Sequence, residues 1–462
     1  MATSRARGGS AVLMLSPYLP YSAPLVEAFA ARGLGTVALY TDLPALRHFR
    51  SVAPLPSGPS IVASYVADER DLDLVAGVLR DRHDVVAVCP VFETDLLPLS
   101  RIAELLGVSS VDPDVIARFR DKAALKEHLR SAPGGPRVNV TCEVSSGADV
   151  RAALAEHGLD RFVLKPNDGF GNRAIFYGDA STSRASVDAY VAAASGRVLL
   201  EEYVGGTEYY VNGQVDERGV AHVFSVNQYV RVDLHGRQDV FIGDFTVRTD
   251  RPEFAVAADY ARAVMAATGL VRSPFHLELK IDDRGPCLLE VAARFCGANV
   301  VFRDADGHGG LDVFGIAAHH TMSAGPYGEY PLDWTTYDAS VRGLVYGISD
   351  SDELVHAVSG VPEVESLPEF VRWEVAPEVG TRVVRSVDLL RPPWSATTTT
   401  PTEDDYHRIA ERMRSLVRIN PPTTRTRTLA LTAAAFVPPA VRAARGRLPG
   451  TPRLERIGPG PR

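Results

Sequence analysis

Residues 275–294 read FHLELKIDDRGPCLLEVAAR, two alternating apolar runs joined by a turn. Asp283-Arg284-Gly285 is the natural loop, with Gly285 supplying the positive φ of a three-residue hairpin. That register pairs Asp282 with Pro286, Lys280 with Leu288, Glu278 with Glu290 and His276 with Ala292. Two glutamates then oppose each other on one face, where like charges cost roughly 0.5 kcal/mol. A compensating cation removes that cost. Mg²⁺ takes one or two carboxylates and completes its shell with waters and phosphate oxygens. A solvated strand face of mixed charge is the alternative, and the hairpin alone does not separate the two. His276 reads as a satisfied polar neighbour, and Arg294 follows four residues after Glu290.

The rest of the chain supplies the frame for this hairpin. SAVLMLSPYLPYSAPLVEAFAARGLGTVALYTD reads strand, loop, helix, Gly turn, strand, and DVVAVCPVFETDLLPLSRIAELLG repeats the pattern. Strands alternating with helices imply a parallel sheet with crossover helices. No GxGxxG joins strand to helix, so a dinucleotide fold of the usual kind is not supported. DPDVIARFRDKAALKEHL is helical with an Asp-Pro start, RFVLKPNDGFGNRAIFYG is strand, Gly-rich turn, strand, and RVLLEEYVGGTEYYVNGQVD is a further pair of strands. Residues 340–420 mix strand-like and helical segments.

Composition excludes several classes. The 462 residues allow two to four packed units, and the net charge of −8 carries no nucleic-acid footprint. No apolar run is long enough to span a bilayer. Cys89, Cys142, Cys287 and Cys296 form no metal-ligand spacing, and three of them sit in apolar runs. They read as buried thiols of a cytoplasmic protein. From Pro421 the chain is basic and Pro-rich, with Glu455 as its single acid, and is expected to be a poorly ordered tail.

Two lysines carry the next signal. Lys165 precedes Gly169 and Gly171 at a strand end, where glycines let backbone N–H groups approach phosphate oxygens and the lysine adds a point charge. Lys122 lies on a helix, Glu201 and Glu202 at a strand end, and Glu208 inside a strand-like run where an unpaired acid is costly. Each alone is ordinary: a plain hairpin, a solvated lysine, a solvated strand end.

Taken in order, FRDKAALKEHL, FVLKPNDGFGNRAIF, LLEEYVGGTEYYVNGQV and the hairpin with its EVAARFCGAN continuation resemble the ATP-grasp superfamily. Within it they are similar to carboxylate–amine ligases of the L-amino-acid ligase (bacilysin synthetase) type. The likeness covers roughly residues 10–320 and weakens toward 420. It implies an α/β ATP-grasp fold, two α+β subdomains gripping ATP behind a Rossmann-like parallel-sheet domain. The implied division is 10–110 for the N-terminal domain, 111–200 for the lid subdomain, 201–420 for the large subdomain with its extension, and 421–462 for the tail.

The resemblance also implies roles. Lys122 and Lys165 contact nucleotide phosphates, and the Gly169–Gly171 loop closes as a lid. Glu201, Glu202, Tyr203 and Val204 form the edge that hydrogen-bonds adenine, and Glu208 holds the ribose hydroxyls. Glu278 and Glu290 bind Mg²⁺ (Mn²⁺ as an alternative), and Arg294 stabilises an acylphosphate or tetrahedral intermediate. His276, Gly297, Ala298, Asn299 and Arg303 are candidate substrate contacts. The implied partners are small-molecule carboxylate and amine substrates, amino acids in the first place, with a homodimer as the assembly kept open.

Three features depart from the usual pattern. Ala292 stands where many ATP-grasp enzymes have a metal-binding Asn, a trait shared by the amino-acid ligases. Residues 227–252 do not match the family's usual substrate loop, and Ala298 stands where a bulkier residue can occur in relatives, which implies more room for the amine-side substrate. The implied activity is ATP-dependent amide or peptide bond formation through an acylphosphate in small-molecule biosynthesis. Transfer to a non-amine nucleophile, or nucleotide binding without turnover, are the competing expectations.

Overall fold

The computed structural model describes residues 9–18, 22–41, 46–47, 57–91, 93–167, 175–194, 196–296, 312–322, 333–386 and 392–421. The Gly169–Gly171 loop, the substrate candidates Gly297, Ala298, Asn299 and Arg303, and the tail beyond Pro421 lie outside them.

Ser10–Leu15, Gly35–Tyr40, Ile61–Val66 and Asp84–Cys89 form a four-stranded sheet. Its order is Ile61–Val66, Gly35–Tyr40, Ser10–Leu15, Asp84–Cys89, with every pair parallel. The run SAVLML is apolar at successive positions because both of its faces are covered. Val12 and Met14 pack toward helix Ser22–Ala30, while Leu13 and Leu15 pack toward helices Leu72–Arg82 and Leu96–Leu106.

The helical stretch that follows breaks in two. Asp112 caps Pro113–Arg120 by accepting from the Asp114 N–H at 2.7 Å, and Asp121 caps Lys122–Ser131 by accepting from the Ala124 N–H at 3.0 Å. A residue that caps has left helical geometry, so Asp121 ends one helix and starts the next. Lys122 thereby becomes the first residue of a new helix, and it is buried.

A second four-stranded sheet is antiparallel, in the order Thr141–Val144, Val198–Glu202, Arg161–Pro166, Phe176–Asp179. Helices Gly147–His157 and Arg184–Ala193 close its core around Phe162, Leu164 and Leu200. Gly206 turns the chain from this sheet into the next. Its φ is +82°, and a Cβ there would stand 2.0 Å from the Ile281 carbonyl oxygen, so no other residue fits.

The largest sheet has eight antiparallel strands. They run Gly285–Ala292, Ser273–Asp282, Thr207–Val215, Ala221–Leu234, Arg237–Thr246, Val341–Tyr346, Ser395–Thr400, Phe370–Val375. The C-terminal segments, read from sequence as a mixture, therefore extend the sheet that holds the hairpin. Helices Pro252–Thr268 and Val313–Met322 cover one face through Val211, Phe275, Leu277, Leu279, Val264 and Ile316. Each such fully buried side chain contributes about 2–3 kcal/mol. Helix Glu403–Leu416 covers the far end of this face. Gly343 admits the Tyr406 ring there, since a Cβ would lie 2.3 Å from that ring.

The hairpin register needs one correction. The strands pair Asp282 with Gly285, Ile281 with Pro286, Lys280 with Cys287 and Leu279 with Leu288. The expected pairs of Asp282 with Pro286 and Lys280 with Leu288 are therefore one residue out. A bulge after Leu288 leaves Leu289 unpaired and brings Glu278 opposite Glu290 and His276 opposite Ala292. The shift at the turn and the bulge cancel, so the two glutamates oppose each other as the sequence predicts.

Candidate active site

The alternation that buries Leu277 and Leu279 on one face of the eight-stranded sheet turns His276, Glu278 and Lys280 to the other. Neighbouring strands add Glu208, Tyr210 and Asn212, then Asn227, Tyr229 and Arg231. The smaller antiparallel sheet stands over one end of this polar face. Between them lies an open cleft, whose walls include Lys165, Glu201, Glu202, Tyr203, Val204, Glu208, Glu278 and Glu290. Residues from five separate sequence segments thus meet at one place.

Glu201 is the pivot of the upper wall. It is 3% exposed, and its carboxylate sits between the Lys126 ammonium at 2.7 Å and the Lys165 ammonium at 3.0 Å. Asn139 bridges the group, accepting from Lys126 at 2.7 Å and donating to Glu201 at 3.2 Å. Burial alone would raise the Glu201 pKa, but the two lysines outweigh it and hold it at about 2. Burial lowers Lys126 to about 8, with Lys165 adding to the effect and Glu201 opposing it. Lys165 stays above its ordinary value, because Glu201 and Glu290 outweigh its burial. The solvated strand end allowed by the sequence is therefore not what Glu201 forms.

Lys122 joins from the next element. Its ammonium is 3.2 Å from Glu290 and donates to the Asn167 carbonyl at 3.2 Å. Three lysines against Glu201 and Glu290 leave this end of the cleft with surplus positive charge, suited to a polyanion.

A second charged group forms the opposite wall. Arg231 donates to Glu208 at 2.5 Å, and Lys280 pairs with Asp239 at 3.1 Å and stands 4.0 Å from Glu208. The Arg161 guanidinium lies 3.6 Å over the Tyr203 ring. Residues 227–252 thus enter a long hairpin that sends Arg231 and Asp239 into the cleft.

Sequence reasoning did not single out Lys126, Asn139, Arg231, Asp239 or Lys280. Two signals were available. Lys126 lies one helical turn after Lys122, on the same face. Arg231 continues the alternation of Asn227 and Tyr229.

At the floor, Glu278 accepts from the Tyr229 hydroxyl at 2.8 Å and meets His276 Nε2 at 3.3 Å, both on Oε1. His276 Nδ1 is 2.9 Å from Asn212 Oδ1, and Asn212 donates in turn to Ser225. Burial would raise Glu278 and lower His276. Cys296 first and then Glu278 outweigh that burial and hold His276 above the ordinary imidazole range, while His276, Arg231 and Tyr229 hold Glu278 below the ordinary carboxylate range. His276 is thus a satisfied polar neighbour, held on both ring nitrogens. Arg294 is half-buried and donates to the Phe295 carbonyl at 2.8 Å.

The donor set can be tested against a divalent ion. Among the described residues no cluster of three or more His, Cys, Asp or Glu could hold a metal by itself. Glu278 and Glu290 are a facing carboxylate pair, with both contacts to Glu278 on the same oxygen. That fits Mg²⁺ only if phosphate oxygens and water complete its shell.

Comparison with known proteins agrees with this geometry. A sequence profile described as an ATP-grasp domain matches residues 161–301. An L-amino acid ligase from Bacillus licheniformis superposes with a TM-score of 0.69 at 17% identity, covering 91% of this chain and 100% of that one. A carboxyaminoimidazole ribonucleotide synthase from Aspergillus clavatus, solved with ATP, gives a TM-score of 0.62 at 14% identity, covering 88% and 98%. The uncharacterized protein y4rH of Sinorhizobium fredii (strain NBRC 101917 / NGR234) is 24% identical over 371 residues, 74% of this chain and 72% of its own. The chain carries an ATP-grasp domain. It has the ATP-grasp fold, preceded by an N-terminal parallel sheet.

Proposed function

We propose that this chain is an ATP-dependent carboxylate–amine ligase that forms a peptide or amide bond through an acylphosphate. The observation that carries the reading is the meeting of the Glu278–Glu290 pair with Lys122 and Lys165 in one cleft. In it the lysines hold the triphosphate, with Lys126 setting the charge behind Glu201. Glu202, Tyr203 and Val204 line the adenine end, and Glu208 takes the ribose hydroxyls at the cost of part of its contact with Arg231. Glu278 and Glu290 would hold Mg²⁺, which when bound neutralises charge on the transferred phosphoryl group.

A substrate carboxylate attacks the γ-phosphorus, ADP leaves, and the acylphosphate carbonyl is then attacked by an amine, releasing phosphate. Arg294, four residues beyond Glu290, is assigned to the acylphosphate oxygens. Lys165 and Glu201 are already fixed in place by their neighbours, so little reorganisation accompanies charge build-up there. The amino-acid ligase likeness favours an amino acid as the carboxylate substrate, in dipeptide or natural-product synthesis. The division at 10–110, 111–200 and 201–420 goes with this reading, with the second join moved to the Gly205-Gly206 turn because Val198–Glu202 belongs to the lid sheet.

The test is phosphate release from ATP and Mg²⁺ with pools of amino acids, in parallel with trapping by hydroxylamine. Release that requires both a carboxylate and an amine supports the ligase. Release with a carboxylate and a thiol or hydroxyl, but no amine, assigns a different nucleophile. Tight ATP binding with no release from any pool sinks the reading and leaves a nucleotide-binding protein.

A further inference from the structure

Two strands from Glu278, the polar face carries a side chain that nothing satisfies. Asn227 is fully buried, and neither its Oδ1 nor its Nδ2 makes a hydrogen bond. A buried polar group left in that state costs about 1–3 kcal/mol. The strand register fixes its direction. Asn227 pairs with Tyr210, and Tyr210 pairs with Glu278. Directly opposed residues share a face, so Asn227 stands on the Glu278 side, about 10 Å away at the usual strand spacing.

Asp244 lies diagonally beside it, since Asn227 pairs with Thr246 and Tyr229 with Asp244. It is 4% exposed and supported by the Tyr210 hydroxyl, and burial pushes its carboxyl up to about 7. Aromatic faces border the spot: Tyr210 and Tyr229 lie 4.7 Å apart, and Phe241 packs edge-on to Tyr229 at 5.4 Å. His276, the charged neighbour of Asp244, already directs both ring nitrogens to Asn212 and Glu278. An amide oxygen, a carboxyl group and aromatic faces share one chemical preference. They favour a cation that donates hydrogen bonds.

We propose that Asn227 and Asp244 form the subsite for the protonated amino group of an amino-acid substrate, an assignment that rests on the ligase reading above. The Asn227 Nδ2 donor remains for the carboxylate of the same molecule. Asn227 is then a specificity-determining residue, kept polar against its own stability cost.

Thermal melting of the full chain with Mg²⁺ and a non-hydrolysable ATP analogue tests this. Each proteinogenic L-amino acid is compared with its des-amino analogue, in wild type and in Asn227→Leu. The expected result has three parts. An amino acid raises the wild-type Tm where its des-amino analogue does not. Asn227→Leu loses that rise while keeping the response to the ATP analogue. The variant's own Tm equals or exceeds that of wild type, because an apolar side chain of similar volume replaces an unsatisfied amide.

In initial-rate assays, KM for the amino acid should rise about 30-fold in the variant, the loss expected for a hydrogen bond to a charged group. KM for ATP should stay put. The proposal is overturned if no amino acid shifts the wild type, if the des-amino analogue does as well, or if the shift survives in Asn227→Leu. A drop in Tm together with weaker response to the ATP analogue also overturns it, by giving Asn227 a structural role. If the wild type binds the amino acid in this manner yet releases no phosphate, the subsite stands and the ligase reading fails.

Discussion

The two faces of the eight-stranded sheet are made by the same strands, yet they answer to different physics. On one, Val211, Phe275, Leu277 and Leu279 pack under two helices with no polar group among them. On the other, Glu208, Lys280, His276 and Asn227 are buried almost as deeply, while Arg231 and Glu278 are partly exposed beside the cleft. Burying paired charge does not by itself favour folding, because desolvation consumes most of the attraction gained. The polar face is held together by the apolar face behind it, and its arrangement is explained by what it can bind.

That contrast breaks first at Glu290. Glu290→Gln keeps the shape of the side chain and removes its charge. Turnover should fall about a thousandfold, roughly 4 kcal/mol in the barrier, while the urea midpoint of unfolding stays unchanged. A variant that remains active would remove Glu290 from the proposed metal pair.

The reverse experiment is Phe275→Ala on the apolar face. Phe275 is fully buried, packed close over Gly213. The cavity should cost about 3–4 kcal/mol of stability. Nucleotide affinity of the molecules that remain folded should not change, as measured by calorimetry below the unfolding transition. A comparable loss of affinity would show that the two faces are not separable.

The pH response sharpens the comparison further, because the charged wall titrates and the apolar face does not. The Glu201 pKa falls from an ordinary 4.5 to about 2 in the fold. Its ionisation therefore adds stability that is fully present above about 4.5 and is lost as pH falls through about 2. Lys126 has the opposite sense. Its pKa is about 8 in the fold against 10.5 in the free chain, so protonation weighs against folding below 8, and that cost eases as pH rises through 8. ATP affinity should drop over the same rise, as the cleft loses a positive charge. Urea titrations and nucleotide binding across pH 3–9 check both, with Lys126→Met expected to flatten the alkaline limb of the binding curve.

How far the sequence foretold these faces depends on what each part needed. The Glu278–Glu290 opposition was legible because period-two alternation and a Gly turn fix a hairpin locally, even though the turn and the bulge at Leu289 each shift the register. The parallel sheet was legible from SAVLML and its helix. The lysine cluster was only half legible. Lys126 and Glu201 lie 75 residues apart, and a glutamate at a strand end looks solvated until the tertiary fold brings two ammonium groups to it. The membership of Val341–Tyr346 and Ser395–Thr400 in the same sheet was not legible, since strand pairing over such distances leaves no local mark.

The smallest expected effect lies at the edge of the apolar face. Helix Glu403–Leu416 covers its far end through Tyr406, Ile409 and Met413. Its start is fixed by Thr402, whose side chain accepts from the Asp405 N–H at 3.2 Å. Three acids in the first turn add a favourable interaction with the helix dipole. Thr402→Ala removes the cap together with the hydroxyl's own hydrogen bond to the Asp405 carboxylate at 2.8 Å, so stability should fall by about 1 kcal/mol. The polar face lies on the other side of the sheet, and the change should leave ATP binding and turnover at their wild-type values. A loss of activity larger than the loss of stability would mean that motion of this helix reaches the cleft through Gly343 and Tyr406, and the apolar face would then have a part in function as well as in folding.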